Sequence, residues 1–153
     1  MGFEAVYVHL LHVRAAAVSA EYDRDAIRAA EERLCRISSA AMDGVRVSSS
    51  GEYDRIAMRV HSLQAVRERR GRDLAESVRT LKRFRAELDA SGLGDDEQSV
   101  LWLKYVCGLS VKDIAAILDV EPCHVWPMLT TARAALARSL DEGEGESDGH
   151  SPR

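Results

Sequence analysis

The chain has 153 residues, 46 % of them apolar and 30 % charged, with a formal net charge of −4, a balance that excludes wholesale disorder and fits one or at most two small domains. Glycine and proline number only 10 and 3; neither occurs between Gly2 and Gly44, and Gly71 stands alone between Gly51 and Gly92. β-Sandwiches and βα arrays need turn formers every ~8–12 residues, so the composition predicts an all-α chain.

From residue 3 to about 41, Val6, Leu10, Val13, Ala17 and Ala20, then Ile27, Ala30, Leu34 and Ile37, recur at steps that mark one face of a helix. The polar cluster Glu21–Asp25 between the two runs predicts one long helix that is kinked or interrupted there. Met42 to Gly51 reads as a loop, with the turn dipeptide Asp43-Gly44 and hydroxyls at Ser48, Ser49 and Ser50. Ser49 and Glu52 have capping-box spacing and would start the next helix. That helix carries Ile56, Val60, Leu63 and Val66, then Leu74, Val78, Leu81 and Leu88, and loses its seam only over Arg67–Asp73, around Gly71. Two striped helices of similar length joined by a short loop predict a long antiparallel hairpin over residues 1–91.

Ser91-Gly92-Leu93-Gly94 ends that element, and three short helices are expected over 95–140. Asp95 or Asp96 would cap the first, and Gly108 would close it at the C′ position. Ser110 with Asp113 forms a capping box for Val111–Leu118, and Pro122 opens a helix running to about Leu140. Residues 141–153 alternate acids with glycine and hold five acids against Arg153, which reads as a disordered acidic tail.

The second and third short helices meet the demands of a helix-turn-helix. Ala115 is small where the helices must cross, Ile114, Leu118, Val120 and Val125 can pin them together, and Asp119 stands where the chain reverses through a left-handed residue. The stretch Leu101-Trp-Leu-Lys-Tyr-Val-Cys-Gly-Leu-Ser-Val-Lys-Asp-Ile-Ala-Ala-Ile-Leu-Asp-Val-Glu-Pro-Cys-His-Val, followed by Ala132-Arg133 and Leu136, resembles region four of bacterial sigma factors, with Asp113 in place of that pattern's glutamate. With the long hairpin and the serine-bearing loop Val47-Ser48-Ser49-Ser50, the likeness extends over about residues 5–140 to small phage-encoded regulators related to that region. The resemblance implies a DNA-binding transcriptional regulator acting on or with RNA polymerase, with the hairpin used for homodimerisation or polymerase contact. In that docking Lys112, Cys123, His124, Trp126, Thr130 and Arg133 would face double-stranded DNA.

The sequence departs from the family in two respects. Residues 95–140 hold four basic and six acidic residues, and Trp126, Pro127 and Met128 occupy places where the third helix usually shows Arg or Lys. A module so poor in cations would bind DNA weakly by itself. Pro127, about six residues into the helix, removes the bond to the Cys123 carbonyl and predicts a kink. An adaptor that meets protein through Trp126 and Met128 is the alternative reading.

From Arg67 to Arg85 eight basic residues face three acidic ones. Arg79, Lys82, Arg83 and Arg85 form a second candidate phosphate contact, the plainer reading being a solvated helix face. Cys35, Cys107 and Cys123 lack metal-site spacing, and His9 and His12 lack a third ligand nearby, so no metal and no cofactor is expected. No paired-acid site or glycine-rich phosphate loop is present, and capping accounts for Ser48–Ser50, so an enzyme is not expected. The start Met1-Gly2-Phe3-Glu4 has no basic stretch and no apolar run approaches membrane length, which predicts a cytoplasmic protein without membrane contact.

Overall fold

A computed structural model describes residues 2–42 and 50–145. It is all-α, with α1 (Phe3–Met42), α2 (Ser50–Ala90), α3 (Asp95–Tyr105), α4 (Val111–Leu118) and α5 (Pro122–Gly145), and no strand among the described residues. No described helix is long and apolar enough to cross a membrane. The chain divides into two units, residues 1–17 with 79–153 and residues 18–78, and α1 and α2 each pass from one into the other.

The first unit holds the large apolar side chains. Val6, Leu10 and Val13 of α1 and Phe84 and Leu88 of α2 share one core with Val100, Leu101 and Tyr105 of α3, Ile114 and Ala115 of α4, and Val125, Leu129, Ala132 and Leu136 of α5. The 3- and 4-residue steps of the α1, α2 and α5 sets follow the helical period, so each of these helices presents one stripe inward, while α3 and α4 bury adjacent pairs. The expected boundary at residue 91 therefore does not separate two cores, because the ends of both long helices pack with the short ones. Phe84 is central, with its ring parallel to that of Trp102 at 6.2 Å and edge-on to His9, whose Nε2 lies 2.7 Å from a Glu87 carboxylate oxygen.

The second unit is built from the middle of α1 and most of α2, and its buried side chains are small or polar: Ala20, Ala30, Asp23 and Ser77. Asp23 is fully buried in the seam of α1, 3.2 Å from the guanidinium of Arg70 on α2. The Ser19 hydroxyl donates to the other Asp23 oxygen at 3.3 Å, and Arg70 lies 5.0 Å from the centre of the Tyr22 ring.

Several local expectations are corrected. α1 is one long helix without the interruption expected at Glu21–Asp25, because Asp23 turns inward to its partner instead of facing solvent, whereas α2 runs through Gly71 as one helix, as its sequence predicts. Gly94, not Asp95 or Asp96, caps α3, and its N–H donates to the Glu97 carboxylate at 3.2 Å. Gly108 lies two residues beyond the C-cap Val106 and not at C′, and its φ of +68° lets the Leu109 N–H reach the Leu103 carbonyl at 3.0 Å. Pro127 lies inside α5, flanked by buried Val125 and Leu129, and does not end the helix. It ends at Gly145 and not near Leu140, so the first residues of the expected acidic tail are helical. The Asp43-Gly44 turn, the Ser49 cap and residues 146–153 lie outside the described residues.

Candidate functional site

The segment 110–131 is ordered by its own caps. The Asp113 N–H donates to Ser110 Oγ at 3.2 Å, and the Ser110 hydroxyl donates to the Asp113 carboxylate at 2.6 Å, which starts α4. The far end reverses at Asp119, the one described non-glycine residue with positive φ (φ 54°, ψ 47°), and the Val120 N–H then bonds the Ala115 carbonyl at 3.0 Å. Asp tolerates this left-handed conformation better than most residues because its short polar side chain bonds locally. Glu121 follows, and Pro122 begins α5 at a position where its missing N–H costs nothing.

Burial then fixes which face of α5 remains outside. Val125, Leu129, Ala132 and Leu136 point into the core, so Cys123, His124, Trp126, Pro127 and Thr130 are exposed. Cys123, Trp126 and Thr130 follow one another at 3- and 4-residue spacing and share one stripe, with His124 beside them. Trp126 is 52 % exposed, its ring 5.8 Å from the Lys104 ammonium of α3, a pairing that residues 22 apart in sequence do not announce. The Thr130 hydroxyl donates to the Trp126 carbonyl at 3.0 Å, so its hydrogen is held within the helix. Lys112 is exposed at the second position of α4.

Arg133 does not join this group. Its guanidinium lies over the rings of Tyr105 and Tyr7, at 5.6 and 5.9 Å, and its buried Nε finds no hydrogen-bond partner among the described residues. Its position one turn after the buried Leu129 is the sequence signal for this placement. Burial raises the Tyr105 pKa above the usual 10, with the Arg133 charge acting in the opposite direction. Arg14 of α1 donates to the Val106 carbonyl at 3.3 Å and occupies the space a Cβ on Gly108 would need.

Of the second basic patch, Arg79, Lys82, Arg83 and Arg85 are all exposed on α2. Arg83 and Arg85 form ion pairs one turn on, with Glu87 at 3.5 Å and Asp89 at 3.3 Å, and Arg85 also lies 5.7 Å from the centre of the Trp102 ring. Part of that charge is thus answered locally. All three cysteines are exposed and free, and no group of three metal-ligating side chains occurs among the described residues. The chain matches no family model, no curated protein and no solved structure.

Proposed function

We propose that this protein is a DNA-binding transcriptional regulator of the sigma-region-four type, phage-derived and acting at promoters on or with RNA polymerase. In this reading α4 and α5 form a helix-turn-helix and α5 is the recognition helix, while α1 and α2 form a hairpin that serves dimerisation or polymerase contact. The observation that carries it is the left-handed reversal at Asp119 between a hydroxyl-capped α4 and a proline-started α5 whose outer face is free. Such a helix presents its N-terminal residues to base edges in the major groove. His124 and Trp126 are then the groove-facing residues, with Cys123 and Thr130 on the same side, and Lys112 meets phosphate at the start of α4. Arg133, held between two tyrosines, acts as an internal support and not as a base contact.

A titration of the full chain with its own upstream DNA, followed by fluorescence at low and moderate salt, tests this. Salt-sensitive binding that weakens in Lys112→Ala and His124→Ala supports it, and an absence of binding at low salt overturns it.

A second reading rests on the exposure of Ile117 (58 %) and Trp126 (52 %), one on each helix of the pair, side chains whose type suits protein contact. In that case the module is an adaptor for RNA polymerase or another host protein. Trp126→Ala would then abolish capture of the partner and leave DNA binding unaffected.

A further inference from the structure

A second basic feature lies in the unit of residues 18–78, distant in sequence from α4 and α5. Arg33, Arg36, Ile37 and Ala40 of α1 and Arg59 of α2 line a groove of about 320 Å³. The α1 residues fall at i, i+3, i+4 and i+7, so helical geometry places them on one face, and Arg59 closes the groove from the other helix. All three arginines are exposed, and none forms an ion pair with another described residue, in contrast to Arg28, Arg70, Arg83 and Arg85. The neighbouring acids Glu31 and Glu32 do not line the groove. Three like charges gathered around an open, partly apolar trough, with no carboxylate among its described lining residues, repel one another, and an anion relieves that repulsion. Guanidinium groups match phosphate oxygens in a fork geometry, and Ile37 and Ala40, the apolar members of the lining, suit the sugar edge of a backbone.

We propose that this groove binds the phosphodiester backbone of DNA. The inference rests on the DNA-binding reading above and supplies what the α3–α5 segment lacks, since residues 95–140 carry more acids than bases. The contact is to phosphates alone and carries no sequence preference.

The test uses the full chain and a short duplex of arbitrary sequence, with affinity measured between about 50 and 200 mM salt. Each phosphate contact contributes about 0.9 to the slope of log affinity against log salt, so Arg33→Ala/Arg36→Ala/Arg59→Ala should flatten the slope by about 2 to 3. The lysine triple, Arg33→Lys/Arg36→Lys/Arg59→Lys, should keep most of the slope, which separates loss of charge from loss of structure. Binding by the wild type with an unchanged slope in the alanine triple overturns the groove and leaves the helix-turn-helix reading standing. A flattened slope in the alanine triple, with no effect of Lys112→Ala and His124→Ala, supports the groove and overturns the role given to α4 and α5. An absence of wild-type binding overturns both.

Discussion

The two units solve the burial problem in different ways. In the unit of residues 1–17 and 79–153, five helical segments converge on Leu, Val, Ile and Phe side chains, and nearly every inward position is large and apolar. In the unit of residues 18–78, two helical segments meet over alanines, and the most buried functional group is a carboxylate, Asp23, answered by Arg70 and Ser19. A pair of helices has only one seam and cannot enclose large side chains on all sides, so its half-buried Ile27, Leu34, Val60 and Leu63 keep contact with water. A polar pair in such a seam adds little net stability, but it penalises a slipped register, because sliding by one turn would leave Asp23 buried without its cation. The apolar unit thus derives its stability from packing, and the other unit takes its alignment from one ion pair.

Substitutions that strike one unit and spare the other sharpen this contrast. The largest effect is expected in the apolar unit: Leu101→Ala should lower unfolding free energy by about 3 to 4 kcal/mol in urea titrations, through lost burial and the cavity left behind. Arg70→Ala should cost about 3 kcal/mol, the low end for breaking a buried pair because the arginine keeps a third of its surface in water. Hydrogen exchange should place that loss in residues 18–78, and Asp23→Leu/Arg70→Leu should recover most of it. A loss no greater than for an ordinary surface arginine would show that Asp23 is answered by water instead. Gly108→Ala should cost about 1 to 2 kcal/mol, since it forces a left-handed residue and displaces Arg14 from the Val106 carbonyl.

The smallest effect is a pH dependence confined to the apolar unit. The Tyr105 pKa is raised in the folded state, so the neutral phenol is the form favoured by folding. Its contribution is complete below the unfolded value of 10 and is lost as pH rises through the higher folded value. Thermal unfolding from about pH 10 upward should therefore show a decline that Tyr105→Phe makes shallower, and the phenolate absorbance of Tyr105 should develop above pH 10.

The features carried by local chemistry were legible in the sequence. The glycine and proline distribution and the apolar periodicity indicated the all-α class; Ser110, Asp119 and Pro122 stood at the start, end and restart their backbone preferences require. Long-range contacts were less legible. Glu21–Asp25 reads as a solvated break because a carboxylate is rarely buried, and only the Arg70 guanidinium, 47 residues away, reverses that expectation. The rings of Tyr7 and Tyr105 within 6 Å of the Arg133 guanidinium are likewise not announced by its place in the sequence. The arginines at 33, 36 and 59 are unremarkable along the chain because Arg33 follows two glutamates and Arg59 lies 23 residues beyond Arg36, and only the pairing of α1 with α2 gathers them in one groove. Helix ends were displaced by a residue or more where capping was shared among neighbours, as at Gly94 and Gly108.

The proposed role of the α4–α5 pair is tested most directly by hydrogen exchange on the full chain, with and without its own upstream duplex. Protection on DNA binding is expected at the start of α4 and over the first two turns of α5, around Lys112, His124 and Trp126. Bound DNA that leaves residues 110–131 exchanging as in the free protein would show that α4 and α5 do not meet DNA.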